Sequence, residues 1–179
     1  MTRDAAAARG FTRNETLNVR EAASGVILLF MTSGFPSLPA RPADGHKGTF
    51  GTVCVVGGRA EDQRVMVGGP ALAALGALRS GCGLAVLAVP TPVMAAALVI
   101  APTATGLALP VDENGSIKPS DAAQLLDRHM HEFQCIVVSP GLGTSIAAQQ
   151  VVVRLISQDQ IPVVVDADGN TVEPGTPGE

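Results

Sequence analysis

From residue 51 onward the chain alternates short apolar runs, each bounded by glycine or proline, with longer stretches of helical spacing. The apolar runs fall at 52–57, 84–89, 135–139 and 162–166. Their length suits strands buried on both faces. Between them, "VGGPALAALGALRSG" places Ala71, Leu72, Leu75 and Leu78 on one predicted stripe and ends in Gly81, a helix C-cap. "PVMAAALVIAP" predicts a shorter helix bounded by Pro92 and Pro102. "KPSDAAQLLDRHMHEF" predicts a helix with Ser120 as N-cap, and "TSIAAQQVVVRLISQDQ" one that opens at Thr144 or Ser145. Strand followed by helix, repeated, implies right-handed crossovers. The expected fold is a three-layer α/β protein, a mainly parallel sheet with helices on both faces.

Composition agrees with that class. The 179 residues suffice for one domain, or for part of a larger one. With 20 glycines and 3% aromatic residues, the chain suits close Ala/Val packing better than an aromatic-cored sandwich. A net charge of -4, with no Trp or Tyr, gives neither a basic surface nor stacking platforms, so nucleic acid is not an expected partner. Cys54, Cys82 and Cys135 are odd in number and lie far apart in apolar or Gly-rich surroundings. They read as buried free thiols in a reducing cytoplasm.

Residues 1–34 differ from the rest and read as an extra, poorly ordered segment ahead of a domain at 35–179. The run "GVILLFM" is too short to span a bilayer and starts too far into the chain for an ordinary signal peptide, although "SLPA" offers a small-residue cleavage site. A native start at Met31 is the alternative. No membrane partner is expected.

Familiar cofactor motifs are absent. Gly57 and Gly58 follow a predicted strand, but without a G-x-G-x-x-G fingerprint, and "HKGTFG" places its lysine before the glycine, unlike a phosphate-binding P-loop. His129 and His131 stand two apart on a predicted helix, so they point in different directions and make a poor metal pair. What remains is a set of glycine-rich turns at strand ends, where an open α/β sheet binds its ligands.

Four of those segments carry a family resemblance. "LPARPADGHKGTFGTVCVVGG", "GGPALAALGALRSGCGLAVLAVP", "SPGLG" and "IPVVVDADGN" occur in the order found in ADP- or ATP-dependent NAD(P)H-hydrate dehydratases, nicotinamide-repair enzymes of ribokinase-like fold. The resemblance covers about residues 38–170. It implies a lyase that restores NAD(P)H from its hydrate, with ADP or ATP as co-substrate and Mg²⁺ as cofactor, in a cytoplasmic homo-oligomer. Phosphorylation of the hydrate hydroxyl would turn a poor leaving group into phosphate, and elimination would follow, pushed by the ring nitrogen. That chemistry needs a general base and a cluster of backbone N–H groups around the transferring phosphoryl.

The resemblance also implies roles. Lys47 would face a substrate phosphate, or be a solvated turn lysine. Gly68 and Gly69 stand where the family usually has Gly-Ala at a helix N-terminus lining the hydrated-nicotinamide pocket, with Met66 just before. Gly141 and Gly143 match the family's substrate-facing turn, and Ser139 replaces a usual glycine, with some crowding of the backbone expected. Asp166 and Asp168 lie at a strand's carboxyl end and are either active-site carboxylates or parts of an Asx turn.

Departures from the family pattern come after "DAD". The family's Thr-Pro-His-Pro-Gly-Glu turn is echoed only by Pro177 to Glu179, with Thr176 where its histidine would fall. The late Gly-Thr-Gly-Asp motif that carries the expected base has no counterpart. The expectation is the N-terminal portion of a dehydratase domain, its C-terminal part missing, with Val163 to Val165 forming an aggregation-prone edge. Two alternatives stay open: a ribokinase-like small-molecule kinase, and an inactive homologue acting as a binding or scaffold protein.

Overall fold

The computed structural model describes residues 40–61 and 63–171. All elements below belong to the unit Pro42–Glu179. The 34/35 boundary, Met31, Thr176 and Pro177 to Glu179 lie outside the described residues.

Among the described residues five parallel strands form one sheet in the order β3-β2-β1-β4-β5: β1 Thr52–Val56, β2 Leu84–Pro90, β3 Thr105–Leu109, β4 Cys135–Val138 and β5 Val163–Val165. The crossovers are α1 Gly68–Ser80, α2 Met94–Ile100, α3 Pro119–His129 and α4 Ile146–Ile156. In register, Val55 lies between Leu87 of β2 and Val137 of β4. Alternation of side chains along each strand then sorts the core into two faces. Val55, Leu87 and Val89 pack with Ala71 and Ala74 of α1 and Ala97 of α2. Cys54, Val56, Ile136 and Val138 pack with Leu126 of α3 and Val151, Val152 and Leu155 of α4. The three-layer expectation is met.

Several local expectations are corrected. Strand β3 was not among the predicted runs: "TGLAL" contains a glycine and is mostly exposed, because it lies at the sheet edge with one neighbour. On α1 the buried positions are Pro70, Ala71 and Ala74, whereas Leu72 is 63% exposed. The small alanines let the helix approach the sheet closely and turn Leu72 outward. Pro119 is the first residue of α3 and Lys118 its N-cap, so Ser120 already lies inside the helix. There proline's missing N–H and fixed φ cost nothing. The 92–102 helix divides into a 3-10 turn Thr91–Val93 and α2.

Two end signals act as expected. Gly81 closes α1 in the left-handed region (φ 110°), and Ser145 caps α4 by accepting from the Ala148 N–H at 3.3 Å. Of the cysteines only Cys54 is buried; Cys82 and Cys135 are half-buried, and all three are free thiols. Burial pushes the Cys54 thiol up from 9.0 to about 12. His129 pairs its Nδ1 with Glu132 at 2.7 Å on an exposed surface. None of the described helices is long and apolar enough to cross a membrane.

Candidate active site

The strand order reverses at β1 and β4. From β1 the chain crosses to α1 on one face of the sheet, and from β4 to α4 on the other. Departing helices of this kind leave a crevice outside the carboxyl ends of the two strands. Its floor is made by two turns locked together: Ser139 N–H donates to Val56 O at 2.8 Å, and Gly58 N–H donates to Pro140 O at 3.0 Å. Gly57 has to be small here, because a Cβ would stand 2.5 Å from the Pro140 carbonyl.

The glycines around the crevice divide by what requires them. Gly141 (φ 67°) and Gly143 (φ 88°) are left-handed, and a Cβ on either would strike the side chain of Met66 or Arg59. Met66 and Arg59 are bridged by paired backbone hydrogen bonds of 2.9 Å in each direction, so one short hairpin straddles the Ser139–Gly143 turn. Gly68 and Gly69 are different. A Cβ on Gly68 would meet nothing within 4 Å, and one on Gly69 only ordinary contacts from 3.5 Å outward. No packing demand of the described fold explains these two glycines.

They also open α1, whose N-cap Val67 has no capping side chain and whose third residue, Pro70, has no N–H. The Gly68 and Gly69 N–H groups therefore carry the positive end of a 13-residue helix without a partner among the described residues. Such an end favours an anionic or strongly polarised group.

The "DAD" carboxylates part company. Asp168 accepts the Gly143 N–H at 2.9 Å and so ties the turn after β5 to the turn after β4. Asp166 is exposed, and its carbonyl accepts from Gly169 in a backbone turn. The crowding expected at Ser139 has a visible cause: its φ is +84°, its side chain is fully buried, and its hydroxyl has no hydrogen-bond partner among the described residues.

Lys47 belongs elsewhere. It lies in the 3-10 turn Lys47–Phe50 ahead of β1, at the amino ends of the strands, where its carbonyl packs on Gly83. The length of β1, about 16 Å at the usual strand rise, separates it from the crevice. The structure thus brings Gly69, Gly141, Gly143 and Asp168 together and leaves Lys47 out.

Sequence reasoning missed Arg59 and Glu61. Both line a small, open cleft beside the crevice, with Gly115 and Ile117 on one wall and Leu142, Ser145 and Ala148 on another. The only signal was position, since they follow the Gly57-Gly58 pair at the end of β1.

The family model for NAD(P)H-hydrate dehydratase matches residues 53–173, which takes in β2 to β5, all of β1 but Thr52, and the crevice. The chain belongs to the NAD(P)H-hydrate dehydratase family. It is 35% identical over 131 residues to the bifunctional NAD(P)H-hydrate repair enzyme Nnr of Moorella thermoacetica, covering 73% of this chain and 24% of that protein. It is 34% identical over 131 residues to the ADP-dependent (S)-NAD(P)H-hydrate dehydratase of Bacillus subtilis, covering 73% of this chain and 42% of that one.

Among solved structures, the B. subtilis ADP/ATP-dependent NAD(P)H-hydrate dehydratase co-crystallized with ATP/Mg²⁺ superposes with a TM-score of 0.56 at 34% identity, over 74% of this chain and 43% of that one. A ribokinase-like superfamily protein of Enterococcus faecalis, 23% identical, shares the fold with a TM-score of 0.55 over 74% of this chain and 42% of that one. The fold is therefore ribokinase-like. This dehydratase-family chain spans less than half the length of these relatives.

Proposed function

We propose that this chain binds hydrated NADH or NADPH in the crevice between β1 and β4 and, with ADP or ATP as phosphoryl donor, serves its dehydration back to NAD(P)H. The observation that carries the reading is the uncapped start of α1. Gly68 and Gly69 are not required to be glycine by the described packing, yet they stand at the switch point with N–H groups that have no partner among the described residues, and the space beside Gly68 is open. A substrate can approach that backbone closely.

In this reading each residue has a limited task. The Gly68 and Gly69 N–H groups hold an electron-rich group of the substrate. Met66, 45% exposed beside Gly141, offers apolar surface to the ring. Gly141 and Gly143 admit Met66 and Arg59, and Asp168 holds the Gly143 N–H and so fixes the turn. Asp168 is thus a positioning residue, and Asp166 is the exposed carboxylate left as the weaker candidate base.

Mg²⁺ is implied by the family, and the described residues contain no group of three or more His, Cys, Asp or Glu side chains able to hold a metal ion. These described residues alone do not build a magnesium cage. The segment 35–179 reads as the substrate-side portion of the dehydratase domain, acting in the cytoplasm within a homo-oligomer.

The test is turnover of purified chain with NADH hydrate, ADP or ATP and magnesium, followed by the return of reduced-nicotinamide absorbance. Recovery that Asp166→Asn removes and a distant surface substitution does not would support the reading. Hydrate binding without turnover would assign a binding role instead. A phosphorylated hydrate that accumulates without elimination would point to a kinase.

A further inference from the structure

We infer that the outer face of α1 and α2 is an interface with a second copy of this chain, the two α1 helices crossing at Gly76. Helices that cover a sheet usually turn charged and polar side chains to water. These two do not. The 13 residues of α1 hold one charged side chain, Arg79 in the last turn, and the 7 of α2 hold none. The two helices pack side by side on one face of the sheet, and Leu72, Ala95, Ala96, Val99 and Ile100 are exposed there. At 80%, Val99 is the most exposed large apolar side chain among the described residues. On the opposite face of the sheet α3 and α4 follow the ordinary pattern, with Asp121, Asp127, Arg128 and Arg154 exposed and an Asp127–Arg154 ion pair of 2.8 Å.

Gly76 is a separate sign. It lies in the interior of α1 on the exposed side, and a Cβ there would meet nothing within 4 Å. Glycine inside a helix weakens it, so a glycine that the described packing does not require leaves room for another backbone to come close. Charge selects the occupant. A partner recognised by charge would find one arginine at the end of α1, and helices that lie on anionic membranes carry several Lys or Arg beside their apolar face. Across a two-fold axis the face meets itself without lining up like charges. Area sets the strength: α1 is about 20 Å long and the helix pair about 20 Å across, so each copy offers about 400 Å², half of the roughly 800 Å² that a standard interface buries per partner. The dimer is therefore a weak one, with a dissociation constant on the order of 10–100 μM.

The inference rests on the homo-oligomer proposed above and names its face. Sedimentation equilibrium of the whole chain, over concentrations that bracket that constant, is the test. Wild type is expected to pass from monomer to dimer. Val99→Glu and Leu72→Glu should each weaken the dimer at least about tenfold, because a two-fold contact receives the new charge twice. Both side chains are already exposed, so the thermal transition of the dilute monomer should stay at the wild-type temperature. Gly76→Ala should raise that transition, since alanine favours the helix, and still weaken association.

A chain that stays monomeric throughout would overturn both this face and the homo-oligomer. Association that Val164→Lys removes and Val99→Glu does not would place the contact at the β5 edge, which overturns this face and leaves the homo-oligomer standing. A Gly76→Ala variant that associates as tightly as wild type would overturn the crossing at Gly76. Flotation with phosphatidylcholine vesicles separates the remaining occupant: binding of a monomeric wild type that Val99→Glu abolishes would make the face a membrane contact and overturn the dimer.

Discussion

Replacing Ser139 by glycine should make this protein more stable, although the change deletes a buried side chain. Ser139 holds φ at +84°, a left-handed conformation that costs a residue with a Cβ about 1–2 kcal/mol. Its hydroxyl is fully buried without a partner among the described residues, a penalty of about 1–3 kcal/mol. Against this, glycine adds about 0.5–1 kcal/mol of chain entropy to the unfolded state. Loss of the Ser139 Cβ also leaves a small gap beside Gly169, which is packed so closely that a Cβ there would lie 2.9 Å from it.

The terms favour Ser139→Gly by about 1–2 kcal/mol. For a domain of this size that is a rise of roughly 3–8 °C in melting temperature. Calorimetry of wild type, Ser139→Gly and Ser139→Ala checks it. Alanine removes the hydroxyl but keeps the backbone strain, so it should recover only part of the gain. A glycine variant that melts at or below wild type would refute the strain argument.

Two further outcomes follow from the core and the sheet edge. Burial holds the Cys54 thiol near 12 in the folded chain against 9.0 when exposed. The folded state therefore keeps a proton that the unfolded state gives up as pH rises from about 9 to about 12, and stability should fall across that window by an amount on the order of 4 kcal/mol. Urea titrations of wild type and Cys54→Val check this, the slope over that range being shallower in the variant. Val164 is 53% exposed on β5, whose only described partner is β4, and charge at such an edge blocks pairing between copies. Val164→Lys should reduce self-association in light scattering at matched concentration; a wild type that is already monodisperse would contradict the expectation of a sticky edge.

The strands read most plainly from sequence were those the sheet buries. Val53 to Val56, the 84–89 run and 135–138 announce themselves because both faces exclude water. β3 escaped notice because Thr105, Gly106 and Ala108 face solvent at the edge, and no apolar run marks such a strand. Leu72 was placed inward by residue type, whereas close helix–sheet approach selects Ala71 and Ala74 and turns the larger side chain outward.

At the site, Gly68 and Gly69 were legible as a helix N-terminus. Gly141 and Gly143 were legible as a turn but not for their cause, which is the approach of Met66 and Arg59 from a hairpin far away in sequence. The Gly143–Asp168 bond joins residues 25 apart in sequence, and nothing local announces it. Lys47 was grouped with the site by proximity to β1, yet in a parallel sheet the residues before a strand lie at the opposite end from those after it.

The central claim is that Gly68 is glycine for a ligand rather than for the fold, and Gly68→Ala tests it most directly. The new Cβ would meet nothing within 4 Å at the first position of α1, and alanine in a helix is favoured over glycine by up to about 0.5–1 kcal/mol. Thermal stability should therefore rise slightly, while affinity for NADH hydrate, measured by calorimetric titration beside wild type, should fall at least about tenfold, the equivalent of some 1.4 kcal/mol. A more stable variant that binds the hydrate as tightly as wild type would show that no substrate approaches this backbone, and would contradict the account.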